Sequence, residues 1–409
     1  MTDPIQEKCP PEIRDTLARL TNAGYRAYTV GGCVRDTLLG EDPNDWDVTT
    51  SALPEEVLNV FKDEHTIPTG LKHGTVTVMK NHSPIEITTF RIDGTYADSR
   101  HPEKVTFSDR IADDLSRRDF TINALAWNEE SGIVDCFNGI SDLKKGLIRA
   151  VGDPQKRFEE DALRILRAYR FSARLGFSIE KLTRIALISE APRLKNISRE
   201  RISSEFCRLT IAKDARTVLK MLEADGIFPY IFDGASYTLP PENILDKIDL
   251  LPTAFEDRIG FLLYGRSRSD AEPWLRGLRL SNKQFHDITV LADLDRRIPA
   301  PDTDYEARKL LATYGDLTER ALSIAALHGL DTQKKQKQVR RVYENGDPVT
   351  IGELAIGGSD LITYRLAAGP QIGKVLAALL DEVLRDPQKN TRETLLSIAQ
   401  SIAAASETN

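Results

Sequence analysis

The sequence predicts an α+β protein: an α/β head built on a small mixed sheet, followed by an extended all-helical arm. Three observations carry this. Short β-rich runs alternate with helical ones from the start of the chain to Ala150. After Gly152-Asp153-Pro154 the apolar spacing changes to ~3.6 residues and stays helical almost to the end. No fixed-period repeat or low-complexity tract interrupts it, and breaks with turn chemistry fall at Phe228-Pro229, Leu239-Pro240-Pro241, Ile298-Pro299-Ala300-Pro301 and Asn345-Gly346-Asp347-Pro348.

In order along the head, Tyr28-Thr29-Val30 reads as a strand ending at Gly31-Gly32. A short helix follows from Cys33 to Leu39, with Gly40 as its C-cap. Trp46-Asp47-Val48-Thr49-Thr50 reads as a second strand. Thr75 to Met79 and Ile85 to Phe90 form a hairpin pair around Lys80-Asn81-His82-Ser83-Pro84.

The 409 residues are enough for two to four domains, and 41% apolar with 29% charged residues excludes a disordered or fibrous chain. No run approaches the ~18 apolar residues of a membrane-spanning helix, so no membrane partner is expected. Asp3, Glu7, Lys8, Glu12, Arg14 and Asp15 leave no apolar block for a secretory signal. Cys9, Cys33, Cys136 and Cys207 form no CxxC pair, which argues against zinc ribbons and disulfides and predicts a cytoplasmic location. The net charge of −7 is unevenly spread: Ser141–Lys220 holds 19 Lys and Arg against 10 Asp and Glu. A basic segment in an acidic chain fits a protein that meets a polyanion at one face, and equally fits a solvated helical surface.

The most informative residues are Gly31-Gly32-Cys33-Val34-Arg35-Asp36, followed by Asp45-Trp46-Asp47. Two residues apart on a strand, Asp45 and Asp47 would share a face, where their charges repel unless a divalent cation sits between them. Oxygen ligands suit Mg²⁺ rather than zinc, and Glu86 on the neighbouring strand is a candidate third carboxylate. Gly32 opens a helix start to an anion such as a triphosphate, and Arg35 lies within reach of a phosphate oxygen. Together these parts fit two-metal nucleotidyl transfer.

GGxVRDxLLG followed by DxD resembles the head signature of the class II nucleotidyltransferases, which comprise tRNA nucleotidyltransferases (CCA-adding enzymes) and bacterial poly(A) polymerases. The resemblance continues through Arg117-Arg118-Asp119-Phe120-Thr121-Ile122-Asn123-Ala124, Asp135–Arg149, Glu160-Asp161-Ala162-Leu163-Arg164 and Ser198-Arg199-Glu200-Arg201-Ile202. More weakly it includes Gly358–Ile362 and Gly369–Gly373. It implies a nucleotidyltransferase head over 1–150, a helical neck that reads the nucleotide over 151–225, a helical body over 226–330 and a tRNA-binding helical tail over 331–409. By the same resemblance, Arg118 and Asp119 hold the nucleotide's phosphate and ribose, Arg167 and Arg170 contact the nucleotide, and Thr95–Thr106 is a flexible loop associated with the switch from C to A addition.

On a helix starting near Phe158, Glu160, Arg164, Arg167, Arg170 and Arg174 fall on one side, with Asp161 at its edge and Arg164 its i, i+3 neighbour. Such a pair is either a helix salt bridge or a reader of base edges. Cytosine and adenine both show an amino donor beside a ring-nitrogen acceptor; uracil and guanine show the reverse. A fixed carboxylate beside a fixed guanidinium therefore complements C and A only. In the family the matching residues act as such a protein template, a role the resemblance carries onto Glu160, Asp161 and Arg164. The expected activity is addition of C, C and A to the tRNA 3′ end from CTP and ATP, with Mg²⁺ and without an obligate protein partner. The neighbouring readings are an A-adding enzyme or a poly(A) polymerase, and, outside enzymes, an inert tRNA-binding protein. An inert relative would have no physical reason to retain two repelling carboxylates.

Overall fold

The structure, a computed structural model, describes residues 3–94, 105–235, 237–297 and 303–406. They form two compact units, one of residues 1–238 with 276–279 and one of 239–275 with 280–409. Most of the expected loop Thr95–Thr106 lies outside the described residues.

The first unit is the α/β head with the helices that follow it. Besides a short parallel pair, Leu147–Ile148 with Ser178–Ile179, its strands are β1 (Ala27–Val30), β2 (Val48–Thr50), β3 (His65–Gly70), β4 (Thr75–Lys80), β5 (Ser83–Thr89), β6 (Arg91–Asp93), β7 (Val105–Phe107), β8 (Leu125–Asn128) and β9 (Gly132–Asp135). Seven of them make one sheet in the order β3-β4-β5-β2-β1-β8-β9, while β6 and β7 form a separate antiparallel ribbon. Within the seven-stranded sheet only β2 and β5 run parallel, so it is mixed, as expected. The β4–β5 hairpin turns tightly at Asn81 and His82, whose φ angles of 47° and 64° suit the right-handed twist of the flanking strands.

Helices α1 (Pro4–Lys8) and α2 (Pro11–Asn22) precede β1, α3 (Gly32–Leu38) follows it and α4 (Pro54–Val60) follows β2. One core holds Ile13, Leu17 and Val57 with Val76, Val78, Ile85 and Ile87, alternate residues of β4 and β5. A second contains Tyr28 and Val30 of β1 with Phe90, Leu115 and Val151. The sheet is thus buried on both faces at β1, and all four β1 residues are buried.

The second expected strand starts later than its sequence suggests, at Val48 rather than Trp46. Val30 N–H donates to the Asp47 carbonyl at 3.1 Å, and the chain then turns away at Gly31. With no partner strand beyond that bond, Asp45 and Asp47 sit at the strand's entrance instead of within it.

Beyond the sheet lie α5 (Ile111–Ser116), α6 (Gly139–Lys145), α7 (Pro154–Glu160), α8 (Leu163–Leu175), α9 (Lys181–Glu190), α10 (Arg199–Thr210) and α11 (Ala215–Ala224). The expected continuous helix through Phe158 and Arg174 is two helices. Asp161 adopts extended backbone (φ −146°, ψ 102°), and its carboxylate accepts from Leu163 N–H at 3.0 Å, opening α8. Asp161 competes with its own backbone in this way, as short acidic side chains do at helix starts.

The second unit is helical throughout, with no strand among its described residues. Helices Asp304–Tyr314, Leu317–Leu327 and Gln333–Glu344 share a core with Ala307, Leu322, Val339 and Val342, and Gln371–Arg385 packs with Arg392–Ser406 around Leu379, Val383 and Leu395. No described helix is long and apolar enough to cross a membrane.

Candidate active site

The site begins at the turn between β1 and α3. Gly31 has φ 85° and ψ −122°, backbone that only glycine adopts readily, and its N–H is tied to the Leu125 carbonyl at 2.9 Å. A Cβ there would lie 2.8 Å from Nη1 of Arg118, so Arg118 packs directly over the turn. At Gly32, the residue singled out from sequence, a Cβ would meet nothing closer than Arg35 at 3.7 Å. Gly31 is therefore the sterically required glycine of the pair.

The β2–β5 register pairs Val48 with Ile87, which sets Asp47 level with Glu86 one residue earlier on each strand. The Asp47 side chain opens to solvent, yet the protein around its carboxyl pushes its pKa up to about 6. Partial desolvation is the largest cause, the negative charge of Asp45 adds to it, Arg118 opposes it, and Glu86 adds a little more. Three carboxylates sharing one field in this way suit a divalent cation, whose charge would offset their repulsion. Glu86 is exposed, and among the described residues no three His, Cys, Asp or Glu side chains converge closely enough to hold a metal. Of the expected carboxylates, Asp45 bears more strongly on Asp47 and Glu86 less.

Behind this edge lies a buried network of charges. Arg35 is only 2% exposed. It donates to Asp36 Oδ1 from Nε at 2.8 Å and to the Asn123 side-chain oxygen from Nη1. Expected to reach a phosphate, it instead braces α3 against the segment carrying Asn123. Asp119, also buried, accepts from its neighbour Phe120 N–H at 2.8 Å, from Asn123 Nδ2 at 2.9 Å and from Arg167 Nε at 2.8 Å. Burial alone would raise its pKa, but the Arg167 guanidinium and the Asn123 amide outweigh that and hold it far below the usual carboxylate range. Through these contacts Asp119 anchors Arg167 and Asn123 in this structure.

Arg167 also stands 4.0 Å from Glu205, and Arg170 Nε is paired with Glu205 at 2.7 Å. Burial lowers the pKa of Arg170 to about 10, with Glu205 opposing and Arg167 adding to the effect. Arg118 reaches Asp114 at 3.2 Å, and its buried Nε has no hydrogen-bond partner among the described residues. Its guanidinium, with Nη1 over the glycine turn and in the field of Asp47, fits an anionic ligand.

The base-reading residues flank the break between α7 and α8. Glu160 ends α7 and accepts from Arg157 at 2.7 Å and from Arg164 at 2.6 Å. Arg164, 9% exposed, also donates to the carbonyls of Arg157 and Arg117, both at 3.0 Å. Asp161 is bound instead by Arg201 of α10, at 2.8 Å. The expected side-by-side Asp161–Arg164 pair is thus not formed, because the helix break turns the two side chains toward different partners. Arg201 and Glu205 are the residues the sequence reading missed. Arg201 lies within the segment Ser198–Ile202, but only the fold brings either one to the site.

Three family models match the chain: the poly A polymerase head domain over residues 27–149, the probable RNA and SrmB-binding site of polymerase A over 176–238, and a putative tRNA nucleotidyltransferase domain 2 over 256–399. A CCA-adding enzyme of Limosilactobacillus fermentum is 36% identical over 408 residues, covering 98% of this chain and 99% of its own. One from Leuconostoc mesenteroides is 36% identical over 92% of this chain and 94% of its own. Among solved structures, the Bacillus stearothermophilus CCA-adding enzyme in complex with CTP superposes with a TM-score of 0.79 at 32% identity, covering all of both chains. The Thermotoga maritima enzyme complexed with tRNA shares the fold, with a TM-score of 0.65 at 23% identity over 98% of each chain. Full-length identity of this order, on a head that sets paired aspartates beside a glycine turn, places the chain in the family of CCA-adding enzymes, the tRNA nucleotidyltransferases.

Proposed function

We propose that this enzyme adds C, C and A to the 3′ end of tRNA from CTP and ATP, without a nucleic-acid template and with release of pyrophosphate, in the cytoplasm. The observation that supports it most is the Asp45–Asp47 edge beside Gly31 and Arg118, where carboxylates in repulsion adjoin an unpaired guanidinium donor. Mg²⁺ held by Asp45 and Asp47 would supply a lower pKa for the primer's 3′-hydroxyl and neutralise charge developing at the α-phosphate. Arg118 receives the phosphates across the glycine turn, and Arg167 and Arg170 present positive charge from α8. Asp119, anchored to backbone and Asn123, fixes where Arg167 presents that charge.

Asp161 and Arg164 meet the base edge once the nucleotide draws them from their present partners, Asp161 from Arg201 and Arg164 from Glu160. Until then Glu160 orients Arg164 rather than the base. The tRNA body lies along the helical second unit. There, helix Gln333–Glu344 carries Lys334, Lys335, Lys337, Arg340 and Arg341, with Tyr343 79% exposed. Such a helix grips backbone phosphate and stacks on an unpaired base without reading sequence.

The test offers tRNA ending at the discriminator base, at C and at CC, with CTP, ATP or both, and sizes the products. Stepwise extension to CCA is expected. A ladder of A residues, or extension only from CC, would replace this reading with the poly(A) or A-adding one. Asp45→Ala should abolish addition while tRNA affinity stays within about twofold, since the metal edge adds little to a grip dominated by backbone phosphates.

A further inference from the structure

The buried charges of the active site close around one aromatic ring. Phe171 of α8 is 4% exposed, and the guanidinium carbons of Arg35, Arg167 and Arg170 stand 5.0, 5.4 and 4.4 Å from its centroid. Phe120 packs on it edge to face, at 5.9 Å and 81°. The same three arginines form one chain of polar contacts. Arg35 donates to Asn123, Asn123 donates to Asp119, Asp119 accepts from Arg167, and Arg167 and Arg170 share Glu205. Asp36, paired with Arg35, also accepts from Arg174 at 2.8 Å, which ties the far end of α8 to α3.

Three cations this close repel one another, and the carboxylates that compensate them come from three different elements. Each carboxylate pairs with one or two of these guanidinium groups, whereas the ring stands against all three, and its electron-rich face attracts cations most strongly where water is excluded.

We propose that Phe171 is a positioning residue for nucleotide binding. It holds Arg167 and Arg170 of α8 and Arg35 of α3 against one rigid ring, so that the glycine turn and the cationic side of α8 keep a constant separation. It does not touch the nucleotide. The inference rests on the reading of Arg167 and Arg170 as nucleotide contacts. Since the triphosphate is common to both substrates, disturbing the ring alters CTP and ATP binding together and leaves base choice alone.

The experiment is steady-state kinetics of the full-length enzyme with tRNA ending at C, for CTP, and at CC, for ATP. Phe171→Leu keeps apolar volume but removes the ring. It should raise KM for both nucleotides by about tenfold with kcat within about twofold, the loss of one desolvated cation–ring set. Phe171→Tyr, which retains the ring, should restore both KM values to within about threefold of the parent. Should the Leu variant fail to fold by circular dichroism, Phe171→Met takes its place. Unchanged KM in the ring-less variant overturns the proposal. So does a fall in kcat alone, a change in one nucleotide only, or a Tyr variant no better than Leu. Arg167→Gln and Arg170→Gln separate the two levels: if neither raises KM, the nucleotide-contact reading fails and the inference with it; if both do while Phe171→Leu does not, only the inference fails.

Discussion

Replacing Asp119 with Asn removes one negative charge from the centre of the head while preserving shape and one acceptor oxygen. In the native protein that carboxylate holds Arg167 through Nε at 2.8 Å and Nη2 at 2.7 Å. Removing one partner of a buried ion pair costs about 3–5 kcal/mol, because the other charge is left uncompensated. Two features reduce that here: the Arg167 side chain is 34% exposed, and Glu205 stands 4.0 Å away as a second anion. The asparagine still accepts from Phe120 N–H, so the expected loss is about 2–3 kcal/mol.

Urea denaturation followed by tryptophan fluorescence measures it. In a Trp274→Phe background the remaining tryptophans are Trp46 and Trp127, both in the head, so the transition reports the first unit. The pH dependence has a definite sign. Asp119 is depressed far below its unfolded value of about 3.9, so its stabilisation is complete above about pH 5 and fades only as the solution becomes strongly acidic. The difference between parent and Asp119→Asn should therefore be flat from about pH 5 to 8 and shrink below about pH 4. A loss under about 1 kcal/mol, or one that varies with pH across the neutral range, would refute the buried-pair reasoning.

Gly31→Ala should cost about 1–3 kcal/mol and most of the activity, because φ 85° is strained for alanine and the new Cβ lies 2.8 Å from Arg118; Gly32→Ala should be much milder, and equal effects in thermal melts and pyrophosphate release would contradict the assignment. Asp47, raised to about 6, is protonated below that pH and cannot ligate, so the Mg²⁺ concentration for half-maximal rate should climb about tenfold per pH unit below pH 6 and level off above about 7. A pH-independent Mg²⁺ requirement would remove Asp47 from the metal site. Arg201→Ala releases the Asp161 carboxylate and should raise UTP misincorporation by about tenfold while first-C addition changes only a few-fold. Unchanged fidelity would show that Arg201 does not support base choice.

Much of the site was legible in the chain because its signals are local. The glycine pair, the spacing of Asp45 and Asp47, and the run Arg164, Arg167, Arg170 each depend on backbone geometry over a few residues. Two local readings failed for reasons outside their windows. The strand at Trp46 lacks a partner because β1 ends at Val30, and the helix through Asp161 breaks where that side chain caps α8 and meets Arg201.

By itself the sequence determined the class of protein, the mixed sheet followed by helices, and the residue types that handle phosphate and metal, since periodicity and turn chemistry act between near neighbours. Only the tertiary structure decided which charges are open to ligand and which are held by the protein. Arg35 and Asp119 read as ligand contacts in one dimension, yet burial without water obliges each to find a partner within the fold, and those partners, Asn123 and Arg167, lie 88 and 48 residues away. Arg118 lies with Nη1 over Gly31, and its Nε found no such partner among the described residues.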